Sequence, residues 1–444
     1  MLKHTTKQAI KTGLALSLSL LTVHWLGWQK SSWVMLTVFV LSLTDSYGYS
    51  ALKSQNRAMG TLLGAVTAFI ILGLFSQQRM AFLASIVAFL MFCVFMNFDK
   101  RRGYLYNIAI TVCLVISSAG IDSGAAGLST AILRFQDTVL GVVIFSLVYR
   151  LVWPTTSESE FHRLAVATFD SLEQELNGET PQVSPEERKK NILLISDILT
   201  LPEIDKTVLA ERKAKLKCLV NGLVYVSRKL AAENNRVSRQ QELAALITEM
   251  RALLSGSSNT TQALMSIPVQ TMNTLENDLR TKQLRGMLTA LGLSLSVIAM
   301  WILMPIPGGA SFPVFGLIVA ANVATAPAKL AAPVMLIYMT FAALVLAQYV
   351  FLFPMLTASW QLALVFFLNI VVGYSLLEKW HLMSVRLLLG NALINMVGSA
   401  TELVPSYNVL SPLTTLVFLF IVMATFQFNA LLFERVSWPR KLTV

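Results

Sequence analysis

Long apolar runs separated by short polar stretches dominate both ends of the chain. A helix needs about 20 apolar residues to cross a bilayer; six such runs precede residue 154 and six follow residue 282. The predicted spans are 9–27, 32–45, 58–75, 81–97, 104–120, 135–153, 285–303, 312–325, 331–352, 360–377, 386–400 and 411–433. The second and eighth runs are short, which is typical of a broken or re-entrant helix. The pattern predicts an all-α, polytopic membrane protein with about 12 transmembrane helices.

Residues 155–281 interrupt this pattern with a polar insert that has helical periodicity. Ser184-Pro185 is typical of a helix start, and Asn177-Gly178 of a helix end. Apolar residues then recur at helical spacing at Val208, Leu209, Leu216, Leu219, Val220, Leu223 and Val224, and again at Leu243, Leu246, Ile247, Met250, Leu253 and Leu254. We therefore expect three parts, which are a six-helix half (1–154), a cytoplasmic helical domain (155–281) and a second six-helix half (282–444).

Charged residues are scarce and unevenly distributed. They form 13% of the chain, against about 25% in ordinary soluble proteins. The net charge of +11 comes from the apolar parts of the chain, which hold 20 Lys/Arg and 7 Asp/Glu. The insert, by contrast, holds 15 Lys/Arg and 17 Asp/Glu and is close to neutral. The basic residues concentrate in loops on one side, so the positive-inside rule predicts a cytoplasmic insert and cytoplasmic termini. This distribution is that of membrane anchors and argues against a nucleic-acid partner.

A nine-residue motif occurs twice in the first half. Arg57-Ala-Met-Gly-Thr-Leu-Leu-Gly-Ala is echoed by Arg134-Phe-Gln-Asp-Thr-Val-Leu-Gly-Val, with Asp137 in place of Gly60. Each copy begins with a charge at a predicted membrane boundary. Small residues let helices approach closely, so Gly60, Gly64 and Gly141 are predicted helix-packing positions. The two copies run in opposite directions in the predicted topology, which indicates inverted three-span units with a transport site between them.

A second, longer repeat relates the two halves of the chain. Lys7-Gln8 followed by Leu16-Ser-Leu-Ser is similar to Lys282-Gln283 followed by Leu293-Ser-Leu-Ser. This similarity predicts two six-span halves in the same orientation. The arginine motif has no clear copy in the second half.

The twin motifs, the Trp153-Pro154 after the second copy and the insert before another membrane block resemble the fusaric acid resistance family. This family includes aromatic-acid exporters of bacterial inner membranes. The resemblance is good over residues 1–154 and weaker over 282–444. It implies an inner-membrane pump that expels aromatic carboxylic acids or related toxic organic anions, together with a periplasmic membrane-fusion adaptor. We also expect a homo-oligomer.

Binding an aromatic anion requires a cation and an aromatic surface. Arginine can bind a carboxylate through two parallel hydrogen bonds and also stacks on rings, so Arg57 and Arg134 are predicted substrate ligands; simple membrane anchoring is the alternative for Arg57. The candidate aromatic and amide partners are Trp33, Phe39, Tyr104, Tyr106 and Asn107. Each of these aromatic residues has packing or lipid contact as its alternative role.

Two of the acidic residues outside the insert are candidates for proton coupling. Asp137 falls inside the sixth predicted span, where an ionisable group requires a partner or a water-filled cavity. The alternative is an Arg134–Asp137 ion pair on one helix face. Asp45 closes the short second span, where a helix cap is the alternative role. We expect Asp137 to take up and release the coupling proton.

The sequence contains no Walker motif, so the proton gradient is the expected energy source. We expect no metal and no cofactor, because neither Cys nor His shows ligand spacing. An enzyme is the least favoured class, since no nucleophile–base pattern is present. Two other hypotheses remain open, which are a passive organic-anion channel and a non-transporting membrane scaffold that acts through the insert.

Overall fold

The structure is a computed structural model that describes residues 3–43, 47–99, 101–154, 157–181, 183–199, 208–232, 237–255, 274–380 and 382–434. Within these ranges the regular secondary structure consists of sixteen α-helices and a few short 3-10 helices. Lys30 and Glu402 form an isolated bridge, and the described residues contain no β-strand. The predicted all-α class is confirmed.

The first six helices follow the six predicted runs in order. They are α1 (His4–Trp25), α2 (Ser32–Ser42), α3 (Tyr47–Phe75), α4 (Arg79–Met96), α5 (Gly103–Asp122) and α6 (Gly124–Leu151). The predicted boundaries of α3 and α6 are wrong, since both helices begin well before Arg57 and Arg134. Because a charged residue lowers local apolarity, the pattern starts each span after the arginine. In the structure each arginine lies inside its helix.

The six helices at the other end repeat this arrangement. They are α11 (Thr274–Leu303), α12 (Ser311–Val323), α13 (Ala331–Phe351), α14 (Ser359–Lys379), α15 (Arg386–Met396) and α16 (Leu410–Glu434). The second helix is short in both halves, with 11 residues in α2 and 13 in α12, as the apolar runs predict. An additional short helix, α15, occupies the position of the eleventh predicted span.

Eight helices in the described residues are long and apolar enough to cross a membrane, namely α3, α4, α5, α6, α11, α13, α14 and α16. The protein is therefore a multi-pass membrane protein embedded in a lipid bilayer. α2, with a rise of about 1.5 Å per residue, is only about half as long as the roughly 30 Å hydrocarbon core is thick. α1 has sufficient length, but it carries Lys7 and Lys11. The twelve predicted spans thus correspond to twelve helices of unequal length.

The chain divides into two compact units. The membrane unit comprises Met1–Leu43, Lys53–Trp153 and Leu275–Val444, and the insert unit comprises Thr44–Leu52 and Pro154–Thr274. Within the membrane unit, α2 packs against α15 and α12 packs against α5, so the short helix of each half contacts the fifth helix of the other. α2 also contacts α6, as α12 contacts α16. These matched contacts support an internal repeat of six helices.

The insert unit is a helical bundle with its own core. It contains α7 (Ser157–Leu176), α8 (Pro185–Ile198), α9 (Val208–Ala232) and α10 (Val237–Ser255). The predicted start of α8 is confirmed, since the Ser184 side chain accepts a hydrogen bond from the Glu187 N–H at 3.2 Å. The predicted end of α7 is also confirmed by Gly178, which has a φ of 77°. The buried core includes Phe161, Phe169, Leu219, Leu223 and Met250.

Glycines of the repeated motif allow close helix contacts in the membrane unit. A Cβ added to Gly60 would lie 2.5 Å from the Leu105 carbonyl oxygen of α5, and one added to Gly64 would collide with the Ala109 carbonyl. A Cβ added to Gly141 would lie 2.7 Å from the Thr37 side chain of α2. All three glycines that the sequence predicts as helix-packing positions thus lie at close contacts with a neighbouring helix. Motif helix α3 packs on α5, and motif helix α6 packs on α2.

We expect Gly64→Ala to lower the stability of the folded protein by about 1–3 kcal/mol, the usual cost of overpacking. Gly73→Ala is the matched control, because it lies on the same helix and an added Cβ would meet nothing within 4 Å. We expect Gly73→Ala to be neutral or stabilising by up to about 1 kcal/mol through helix propensity. Unfolding of both variants in detergent micelles measures the difference, and equal stability would contradict the close α3–α5 contact.

Candidate functional site

The two copies of the repeated motif converge on one pocket in the membrane unit. The pocket is lined by Trp33, Thr37, Arg57, Thr61, Ile108, Thr111, Val112, Val115, Arg134, Asp137 and Thr138. Its empty volume is about 380 Å³, a figure that includes open solvent at its mouth. Helices α2, α3, α5 and α6 contribute its walls.

Arg57 reaches the pocket from the face of α3 that packs on α5. Its side chain is buried, and Nη1 donates a hydrogen bond to the Tyr104 hydroxyl oxygen at 2.7 Å. Its Nε atom is fully buried and has no hydrogen-bond partner among the described residues. A buried donor without a partner costs about 1–3 kcal/mol. An anion bound in the pocket would relieve this cost.

Arg134 reaches the pocket from α6 and is held by an aromatic ring. Its guanidinium carbon lies 3.1 Å from the centroid of the Trp33 ring, a stacked cation–aromatic contact. Its Nη1 atom is fully buried and without a hydrogen-bond partner in the described part of the chain. Both predicted arginines therefore line the same pocket, and each has an unsatisfied N–H group.

Asp137 is buried one turn beyond Arg134 on α6 and lines the same pocket. Arg134 acts electrostatically on Asp137, but no ion pair within 4.0 Å forms between these two residues. The carboxylate also makes no hydrogen bond to another described residue. The ion-pair alternative is therefore not the arrangement in this structure. Asp137 therefore lines the pocket within the electrostatic influence of Arg134 but without a direct hydrogen bond or ion pair to a described residue.

Threonines at equivalent motif positions meet beside the arginines. The hydroxyl oxygens of Thr61 and Thr138 are 3.4 Å apart. Contact between equivalent residues indicates that a local two-fold axis passes between the two motif copies. Thr61 and Thr37 donate their hydroxyls to the carbonyls of Arg57 and Trp33, each at 2.9 Å, so their oxygen lone pairs remain available to a ligand. The sequence prediction missed these hydroxyls, although the repeat contained the signal.

The α5 wall of the pocket is mainly apolar. Ile108, Val112 and Val115 lie on this wall, and Thr111 adds one hydroxyl. The opposite side carries the two arginines and Trp33. The pocket therefore combines an excess of positive charge with an apolar wall. This combination fits a small anion that has an apolar body.

Two further cations contact the C-terminal end of α2 and were not predicted as functional residues. Lys53 donates to the Val40 carbonyl at 2.9 Å, and Arg386 of α15 donates to the Leu43 carbonyl at 2.6 Å. These carbonyls belong to the C-terminal end of α2, which is too short to span the membrane. The two cations satisfy groups that water would otherwise have to reach.

The remaining predicted site residues are not brought into the pocket. Tyr106 contacts the edge of Phe92 with ring centroids 5.7 Å apart, and the Asn107 amide donates to Asn322 of α12 at 3.0 Å. Phe39 is buried in the core. Asp45 lies outside the described residues. In the parts of the chain that the structure describes, His, Cys, Asp and Glu side chains form no group of three that would hold a metal ion.

Comparisons with known proteins give a family match and similarities to proteins named as transporters. Residues 5–215 match the Fusaric acid resistance protein family. The chain is similar to Aluminum-activated malate transporter 14 of Arabidopsis thaliana, with 25% identity over 199 residues, which are 42% of this chain and 36% of that protein. It is also similar to Uncharacterized transporter YdhK of Escherichia coli (strain K12), with 24% identity over 157 residues, which are 34% of this chain and 23% of that protein.

These similarities cover little more than a third of the malate transporter and about a quarter of YdhK. The family match extends from α1 into the insert unit. It contains both copies of the arginine motif and every residue that lines the pocket. The resemblance predicted from these residues is therefore confirmed, and over residues 5–215 the chain matches the Fusaric acid resistance protein family.

Proposed function

We propose that this membrane transporter carries small organic anions, with aromatic carboxylates as its substrates. The observation that carries the proposal is the pocket in which Arg57 and Arg134 converge with buried, unpartnered N–H groups. A carboxylate supplies acceptor oxygens that match these donors. Both curated relatives are named as transporters, which supports transport over an enzymatic function.

The pocket walls support an aromatic body for the substrate. Trp33 offers a ring beside Arg134, while Ile108 and Val112 offer an apolar surface opposite. A carboxylate at Arg134 would place its attached ring between these surfaces. Charge and apolar contact then act together, which is typical of small-ligand sites with a few convergent polar groups.

Asp137 is the proposed proton-coupling residue. It is a buried carboxylate that lines the substrate pocket and has no ion-pair partner there. An ionisable group in such a place changes its charge state more readily than one locked in a salt bridge. Uptake and release of a proton at Asp137 would therefore alter the charge that the substrate meets.

We further propose that the protein lies in the bacterial inner membrane with its termini and insert unit in the cytoplasm. The distribution of basic residues and the family resemblance support this placement. A periplasmic membrane-fusion adaptor and a homo-oligomer complete the proposed assembly. A passive anion channel and a membrane scaffold are the alternatives that the following measurements separate.

Arg134→Ala should strongly reduce transport of an aromatic carboxylate into inverted membrane vesicles, with labelled p-hydroxybenzoate as the probe. Loss of a charge-assisted contact of about 1.5–3 kcal/mol corresponds to about a ten- to hundred-fold loss in initial rate at low substrate concentration. Arg150→Ala is the matched control, because Arg150 is an exposed cation on the same helix outside the pocket. A non-transporting scaffold predicts no uptake of p-hydroxybenzoate by the wild type or by either variant.

Asp137→Asn should separate substrate binding from proton coupling. The substitution removes a negative charge beside the anion site, so p-hydroxybenzoate should bind at least as tightly, as measured by calorimetry on the purified protein. Uncoupler-sensitive uptake into vesicles should be lost. Glu378→Gln is the control, since this carboxylate accepts a hydrogen bond from Thr5 at 2.5 Å outside the pocket. Uptake by Asp137→Asn that still responds to an uncoupler would refute the assignment, and wild-type uptake that ignores an uncoupler would favour a channel.

Native cysteines provide a test of the proposed orientation. Cys93 and Cys113 are buried in α4 and α5, whereas Cys218 of the insert unit is partly exposed. A membrane-impermeant maleimide should therefore label Cys218 in inverted vesicles and not in right-side-out vesicles. Cys218→Ser should remove this labelling. Reaction of Cys218 in right-side-out vesicles would place the insert outside the cytoplasm.

A further inference from the structure

We propose that Tyr104 is a positioning residue that holds the Arg57 guanidinium in the anion pocket. This inference rests on the proposed function and adds a residue to its site. Arg57 lines the pocket, whereas Tyr104 does not. The two residues are joined by the hydrogen bond from Arg57 Nη1 to the Tyr104 hydroxyl, at 2.7 Å. Tyr104 therefore acts on a bound anion through Arg57.

The start of α5 fixes where the Tyr104 ring lies. Asn56 of α3 donates to the Arg101 carbonyl at 2.5 Å, immediately before this helix. Gly103 lies so close to the Asn97 carbonyl that an added Cβ would collide with it. Gly60 then rests on the Leu105 carbonyl. Contacts on both sides of Tyr104 thus tie the first turn of α5 to α3, the helix that carries Arg57.

Tyr104 also contacts a second cation, Lys53, in addition to its hydrogen bond with Arg57. The Lys53 ammonium group lies 5.1 Å from the Tyr104 ring centroid. Lys53 precedes Arg57 by one helical turn, so the two residues share a face of α3. Arg57 is one of the charges that act on Lys53. Two like charges on one helix face repel each other. The Tyr104 ring contacts one cation while its hydroxyl directs the other into the pocket.

The second motif copy has an aromatic residue in the same role. Trp33 is the second residue of α2 and stacks on Arg134, while Tyr104 is the second residue of α5 and bonds Arg57. α2 and α5 are also the helices on which Gly141 and Gly64 pack. Each motif arginine is thus held by an aromatic side chain from the first turn of the helix that its own helix packs against. This correspondence indicates that Tyr104 belongs to the site and is more than a core residue.

Tyr104→Phe removes only the hydroxyl and keeps the ring. The Arg57 guanidinium should then no longer be held in one orientation. Binding of an anion would have to order this side chain, and the entropic cost of ordering it lowers the affinity. We expect the affinity for p-hydroxybenzoate to fall several-fold in calorimetry on purified protein. Tyr106→Phe is the matched control, because Tyr106 lies two residues along the same helix and contacts Phe92 outside the pocket. Its affinity should equal that of the wild type.

A second measurement needs no substrate. Phenylglyoxal modifies arginine side chains, and mass spectrometry of peptides gives the rate of modification at each arginine. The measured quantity is the ratio of the modification rate at Arg57 to that at Arg134, which serves as the internal reference. Tyr104→Phe should raise the rate at Arg57 relative to Arg134, while Tyr106→Phe should leave the ratio unchanged. A merely structural effect on α5 would lower the stability of the variant without changing this ratio selectively. An unchanged ratio in Tyr104→Phe would overturn the positioning role.

The two measurements together distinguish failure of this inference from failure of the proposed function. If wild-type protein does not bind p-hydroxybenzoate but the Arg57 ratio rises, the positioning role stands and the proposed substrate is wrong. If binding is strong and both the affinity and the ratio are unchanged in Tyr104→Phe, the substrate stands and the positioning role is wrong. In an Arg57→Gln background, Tyr104→Phe should have no further effect on affinity.

Discussion

Desolvation of two guanidinium groups is the constraint on which the rest of the membrane unit depends. A cation removed from water inside a membrane protein is costly unless other groups replace its hydration. Here the Trp33 ring covers Arg134 and the Tyr104 hydroxyl accepts from Arg57, yet each arginine keeps an unsatisfied N–H group. The fold therefore holds Arg57 buried and Arg134 half-buried while it leaves one N–H group of each arginine without a partner among the described residues.

This arrangement requires helices that approach one another closely, and the glycines of the repeat allow it. Gly64 brings α3 against α5, and Gly141 brings α6 against α2. Thr61 of α3 and Thr138 of α6 also meet where both line the pocket. The same nine residues thus supply both the close helix contacts and part of the pocket lining. The replacement of Gly60 by Asp137 makes the two copies chemically unequal around their common axis.

The sequence was sufficient to predict the helical class, the order of the helices and the two arginines, because apolarity and internal repetition are properties of the chain itself. It could not choose Tyr104 over Tyr106. These side chains point in different directions on α5, and a helix that is apolar on all sides gives no indication of its rotation about its axis. The start of α3 was misplaced for a related reason, since burial of Arg57 depends on partners distant in sequence.

The contacts between α15 and α2 show how the two halves of the membrane unit depend on each other. The family match includes the whole arginine pocket but ends long before α15. Nevertheless Arg386 of α15 binds the Leu43 carbonyl and the Gln8 side chain, and Gly390 of the same helix leaves room for the Phe39 ring of α2. A fragment that stops after the first half would lack the partners that complete the helix carrying Trp33. The residues that line the pocket all lie in the first half, whereas α15 of the second half packs on the helix that carries Trp33, so the second half is part of the pocket's scaffold.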